Sequence, residues 1–307
     1  MSVARNAHSN HQLFPTMSNR FTLEMNDLAT SLIQQTNPSL SPKSEAHRIA
    51  ISQTQHRLNI LQAWFGSLET AKNFLEGKTV LEIGCGQGDM TVALAWAVGA
   101  TGKVNAIDPA PLDYGSPETL REAQNRISRS SPLGGRVNWI QSDPIEALKQ
   151  NTGLGAADYI VLAHSLLYMK SKAYVGQLFR AIRTVAEPAS TKLLIAEWGM
   201  RVSNEGAKAH LHAVQAQAAQ PLESGNVQLY LEPKVAMELA SNVGWRGEEE
   251  RWIESPHLDD GAWEVAAARS MAVADDTGDV ARRLLEDMER VVEGPTRCMN
   301  VWTSVLY

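Results

Sequence analysis

The chain has 307 residues, of which 44% are hydrophobic and 20% charged, with a net charge of −6. That is enough for one large α/β domain with additions or for two small ones, and an acidic chain without Lys/Arg runs argues against a nucleic-acid partner. Two cysteines, Cys85 and Cys298, exclude a disulfide framework and sit at no metal-ligand spacing, and neither a membrane span nor a secretory signal is visible, so the chain reads as soluble and cytoplasmic.

Residues 1–20 are polar and read as a disordered tail. A helix is expected over 22–35, ended by Asn37-Pro38, and a longer one from Ser41-Pro42 to about Gly66. In the second, Ile49, Ile51, Leu58, Leu61 and Trp64 recur at roughly helical spacing, whereas His47, Arg48, His56 and Arg57 read as solvated or capping. A short helix over 68–76 follows. The pattern then changes: strands are expected at 79–83, 104–108, 137–140, 159–163 and 193–196, with helices at 89–98, 117–128, 144–150 and 172–186 between them. Ser116 and Pro117 read as the N-cap and first residue of the 117–128 helix. Further on, 204–220 reads as an inserted Ala/Gln-rich helix, 233–243 as a helix and 248–254 as a strand. The segment 259–293 reads as two helical pieces broken near Thr277-Gly278, and the chain closes on an alternating strand. Short apolar strands alternating with helices imply a doubly wound, mostly parallel sheet covered on both faces.

Strand 79–83 runs straight into Gly84-Cys85-Gly86-Gln87-Gly88, which opens the next helix. Glycines there allow a tight turn and let the main chain approach a ligand, and the helix N-terminus offers free N–H groups. A dinucleotide fingerprint, Gly-x-Gly-x-x-Gly, would need its third glycine where Asp89 stands. Asp108 ends the second strand, where a carboxylate can take both hydroxyls of a ribose.

With its acid, Glu82-x-Gly84-x-Gly86-x-Gly88 resembles the first motif of class I (Rossmann-like) S-adenosylmethionine-dependent methyltransferases. The resemblance covers about residues 78–200 and implies a seven-stranded sheet closed by an antiparallel last strand. It implies S-adenosylmethionine as cofactor, with Glu82 orienting the methionine ammonium and Gly84 and Gly86 beneath the amino-acid part and ribose. Cys85 would be a small residue packed under the cofactor, and Gly88 and Ala163 would also belong to the cofactor-binding set. By position Asp143 would receive the adenine amino group, with Pro144 beside it; as Pro144 opens a helix, an N-cap role for Asp143 fits equally. Arg57 is a candidate for the cofactor carboxylate.

In such enzymes the loop after the fourth strand faces the sulfonium. Here it reads Ala163-His164-Ser165-Leu166-Leu167-Tyr168-Met169, in which His164 is the candidate base or a pocket-lining residue and Tyr168 lines the pocket. It lacks the Asn-Pro-Pro-aromatic run of nucleic-acid base methylation. Trp198, beside Glu197, could wall an apolar acceptor; Tyr114 could pack on adenine, line the pocket or sit in a surface turn; His210, on the insertion, could reach substrate. His210 and His212 are two apart on a helix and face different sides, so no metal site is expected.

Three domains are therefore expected: the tail 1–20, N-terminal cap helices over 21–77, and the catalytic domain 78–307 with a helical insertion at about 201–232. The expected reaction is methyl transfer to O, N or C of a small molecule, with secondary metabolism as its setting. The alternative is a methyltransferase fold that binds the cofactor for another reaction or for regulation. The expected partners are a small-molecule acceptor and a second copy in a homodimer, with neither nucleic acid nor membrane.

Overall fold

A computed structural model describes residues 17–130, 132–150, 156–187, 190–222, 225–271 and 277–307. Seven strands form one sheet: β1 Thr79–Ile83, β2 Lys103–Asp108, β3 Val137–Gln141, β4 Tyr159–Ala163, β5 Lys192–Trp198, β6 Gly247–Ile253 and β7 Val301–Leu306. Their order is β3-β2-β1-β4-β5-β7-β6, with β7 antiparallel to both neighbours. Strands β4, β5 and β7 are buried along almost their whole length, as expected of strands with helices over both faces. The order reverses direction between β1 and β4, so the loops at their carboxyl ends diverge and leave a crevice.

Helices α1 Met17–Thr36, α2 Glu45–Phe65 and α3 Leu68–Leu75 precede the sheet. The first begins at Met17 rather than at the expected position 22, so residues 17–20 of the expected tail are helical, and the rest of that tail lies outside the described residues. Ser44 caps α2 by accepting from His47 N. The buried Trp64 ring donates to Ile195 O at 2.9 Å, and Arg251 donates to Ala63 O, so the end of α2 is pinned to the sheet. That anchor fixes what the preceding turns present.

Between strands lie α4 Asp89–Ala97, α5 Leu120–Ser128, α6 Pro144–Gln150 and α7 Lys172–Val185. The expected start of the 117–128 helix at Ser116 is corrected. Thr119 is the N-cap, and it exchanges hydrogen bonds with Glu122 in a capping box that satisfies two backbone donors at once.

Within the expected insertion a 3₁₀ turn, Glu205–Ala207, leads into α8 Lys208–Ala219, matching the helix expected over 204–220; beyond it Gln228 N and Leu229 N both donate to Leu167 O. α9 Pro233–Ser241 returns to the sheet side. α8 packs instead against α10 Asp260–Met271 and α11 Asp279–Val291, making a small core from Ala209, Ala213, Ala216, Val265, Ala268, Leu285 and Met288. Alanines let these helices approach closely, so the lid is a three-helix unit drawn from two distant segments. No helix among the described residues is long and apolar enough to cross a membrane.

Candidate active site

The glycine loop joins β1 to α4 at the crevice. Gly84, Gly86 and Gly88 all have positive φ, at +78°, +52° and +97°. Two are there for packing: a Cβ on Gly84 would overlap the Ser165 side chain, and one on Gly88 would lie 2.7 Å from Trp139 and 2.8 Å from Ile127. Gly86 differs, because a Cβ there would meet nothing within 4 Å. Its open face is where a ligand can lie against the main chain. Asp108 braces the loop: Oδ2 accepts from Gly86 N at 2.8 Å and Oδ1 from Ala110 N at 2.9 Å, which leaves lone pairs for hydroxyl donors.

Glu82 is buried and accepts from the Thr91 hydroxyl at 2.6 Å; burial pushes its pKa up to about 8. Cys85 is buried too, and burial raises its thiol well above the usual range, so it is no thiolate nucleophile. Asp143 is the N-cap of α6, accepting from Ile145 N at 2.9 Å, and its other oxygen accepts from the Tyr174 hydroxyl at 2.8 Å. An adenine amino group would have to share that carboxylate with both. Pro144 opens α6, and Ala163 ends β4 beside Ala196 of β5.

Arg57 and His56 overturn their reading as solvated residues. They lie one and two turns before Ile60, Leu61 and Trp64 on the buried face of α2, at 9% and 2% exposure. The four-residue spacing of His56, Ile60 and Trp64 carries that signal, but polarity masks it. The Arg57 guanidinium makes no hydrogen bond or ion pair with a described residue, although it lies within electrostatic reach of Glu82, Glu197 and Asp260, and its Nη1 is fully buried. A buried guanidinium without a partner is costly unless an anion completes it.

Four aromatic rings meet beside it. His164 has φ +52°, a strained conformation for a side-chain-bearing residue, and its ring lies 4.6 Å from that of Trp198. Trp198 in turn contacts His210 edge-on at 4.8 Å and lies nearly parallel to His56 at 6.2 Å. His56 Nε2 and His164 Nε2 are 2.8 Å apart, and His164 Nδ1 is 3.4 Å from Glu197 Oε1. Glu197 also accepts from the N–H groups of Leu166, Leu167 and Trp198; burial outweighs them and raises its pKa to about 7. Burial holds both imidazoles well below their ordinary value, so both rings are neutral. His210 Nδ1 accepts from Met299 N at 3.1 Å, which assigns its proton to the buried Nε2.

Tyr168 is 45% exposed, yet burial raises its phenol pKa well above the usual range, under the charges of Glu264, Glu197 and Asp260. Tyr114, equally exposed, donates to Asn226 Oδ1, so the loop after β2 touches the extended segment leading from the lid. Sequence reading missed Asp260 and Glu264, which lie within electrostatic reach of Tyr168 from α10, a helix with no visible link to the glycine loop. Among the described residues no group of three or more His, Cys, Asp or Glu is placed to hold a metal ion.

Residues 80–189 match the family model of a methyltransferase domain, and the seven-stranded sheet around them has the fold of class I S-adenosylmethionine-dependent methyltransferases. Over its whole length the chain is similar to a cyclopropane-fatty-acyl-phospholipid synthase-like protein from Lactobacillus casei. The identity is 29%, with 94% of this chain and 99% of that one covered at a TM-score of 0.76. The fold is shared with a protein assigned as a sarcosine dimethylglycine methyltransferase from Galdieria sulphuraria (11% identity, 92% and 97% covered, TM-score 0.51). It is also shared with the [4+2]-cyclase SpnF (16% identity, 92% and 94% covered, TM-score 0.50). No curated protein sequence matches.

Proposed function

We propose that this protein transfers the methyl group of S-adenosylmethionine to a small molecule held between the sheet edge and the helical lid. The observation that carries the reading is the partnerless, buried Arg57 within electrostatic reach of Glu82, with the open face of Gly86 in the adjoining loop. Arg57 would hold the methionine carboxylate, Glu82 the ammonium, and Asp108 the ribose hydroxyls. The cofactor supplies a methyl already activated on a sulfonium, so the protein's task is to align the acceptor with it and exclude water. Trp198, Tyr168 and His210 would wall the acceptor's side, and the packing of α8 over Trp198 favours a compact acceptor over a macromolecular surface.

Titration calorimetry with S-adenosylmethionine, S-adenosylhomocysteine and NAD tests it. Heat is expected from the first two, with the loss of most affinity in Asp108→Ala; binding of NAD alone would overturn the reading. A second reading, a carbon acceptor in a lipid chain, is favoured by the name of the Lactobacillus casei neighbour. Incubation with unsaturated phospholipid and mass spectrometry of the acyl chains distinguishes it.

A further inference from the structure

Glu197, near the end of β5, is buried, and both of its carboxylate oxygens are taken by the main chain. Oε1 accepts from Trp198 N at 2.8 Å, and Oε2 accepts from Leu166 N at 2.8 Å and Leu167 N at 3.4 Å. The donors belong to different elements: Trp198 ends β5, whereas Leu166 and Leu167 open the 3₁₀ turn Leu166–Tyr168 that follows β4. His164 N still donates to Ala196 O at 2.8 Å, in step with the strand pairing, and the chain then turns away at the strained His164. A strained residue persists only where its surroundings over-determine it, and the bonds of Glu197 just beyond Ser165 supply that restraint. The same turn is gripped from two further sides. Ser165 packs so closely on Gly84 that a Cβ there would overlap it, and Leu167 O accepts from Gln228 N and Leu229 N.

We infer that Glu197 is a positioning residue: its one carboxylate fixes the main chain that carries both Trp198 and Tyr168, and so sets the acceptor's walls against the glycine loop. The inference rests on the proposed methyl-transfer reading and deepens it, by naming the group that aligns the acceptor with the methyl. In-line transfer gains much of its rate from such alignment. Glu197 itself touches no substrate and exchanges no proton with it; it acts through the turn and the strand end that it joins. A carboxylate suits this task because both of its oxygens accept. A glutamine offers one accepting oxygen, and its amino group would meet an N–H head-on, so it could hold one wall but not both.

The groups around this carboxylate come from every element packed on it. Arg57 on α2 favours its ionised form, and Tyr168 in the turn after β4 and Glu264 on α10 lie within electrostatic reach. His164 Nδ1 stands 3.4 Å from Oε1, and the neutral His56 on α2 and His210 on α8 face His164 in turn. Burial outweighs the three N–H groups and Arg57 and leaves the carboxyl near 7. Above that pH both oxygens accept and both walls are held. Below it a proton occupies an oxygen that a main-chain N–H needs, and the hold on the walls loosens.

The test needs no identified acceptor. Amide ¹H–¹⁵N spectra of the full-length protein, with the ring signals of Tyr168 and Trp198, are recorded over about two pH units on either side of neutrality. The amides of Leu166, Leu167 and Trp198 are expected to move downfield together as the carboxyl ionises, with one midpoint near 7, and both ring signals to follow the same curve. Glu197→Gln should flatten all of these curves. Amides that do not titrate, amides with separate midpoints, or ring signals that stay constant while the amides move would overturn the positioning role. The wild-type titration decides this even if the variant fails to fold. It is run on the free protein, whereas the binding isotherm of S-adenosylhomocysteine tests the cofactor reading, so failure of the one is distinct from failure of the other.

Discussion

Along β1, the glycine loop and β2, the cofactor edge is assembled from one continuous stretch of chain, Glu82 to Asp108, in which each group braces its neighbour. The buried aromatic chamber beside it draws His56 from α2, His164 from the end of β4, Glu197 and Trp198 from β5, and His210 from α8. The first region is held by local turns and parallel register. The second exists only because α2 is pinned to the sheet and a three-helix lid closes over it. Local assembly makes the cofactor edge readable and robust, and remote assembly makes the chamber specific and vulnerable.

The hardest blow to that contrast is Trp64→Ala. It removes a large buried side chain and its hydrogen bond to the Ile195 carbonyl, which should cost about 3–5 kcal/mol of stability in denaturant melts. At temperatures where the variant is folded, the His56–His164 coupling should vanish while Gly86 and Asp108 keep their contact. Equal damage to both regions, seen by amide exchange, would break the distinction.

Asp108→Ala attacks the other region. Losing the brace on Gly86 N and the ribose acceptor should weaken cofactor binding roughly 100-fold by calorimetry, with little change in the chamber's histidine spectra. An affinity within twofold of wild type would show that the glycine loop holds its shape and its ligand without the acid.

A subtler measurement follows protons. Glu82, raised to about 8, is mostly protonated in the free protein at pH 7, whereas an arriving ammonium favours its ionised form. Cofactor binding should therefore release about one proton at pH 7, read from calorimetry in buffers of different ionisation heat. The sign for stability runs the same way: an acid raised by folding favours the folded state at low pH. That contribution is lost as pH climbs from the ordinary carboxylate range through about 8, so melting temperature should fall between pH 6 and 8.5. Zero proton exchange would place the ammonium elsewhere.

The smallest expected effect belongs to the capping box. Thr119→Ala should cost about 1 kcal/mol and lower the melting temperature by a few degrees. Its effect should stay near Gln124, which donates to Gly86 O at 3.0 Å, and leave the His56–His164 contact untouched.

The sequence by itself determined the strand–helix alternation, the glycine turn with its acids, and the absence of a dinucleotide spacing, because each depends on residues within a few positions of one another. It also put His164 and Trp198 at the ends of the fourth and fifth strands and His210 on the helix after them, but did not reveal the contact between their rings. It misplaced the start of α5, since a Pro-containing turn and the Thr119–Glu122 box compete for the same few residues and only the box satisfies both donors. Tertiary structure alone decided that His56 and Arg57 are buried, that α10 and α11 join α8 as the lid, and that Glu197 is an interior carboxyl near neutrality. Those outcomes depend on which elements pack together over long sequence distances, and on how much water their packing removes from charges that hydrophobic periodicity assigns to the outside.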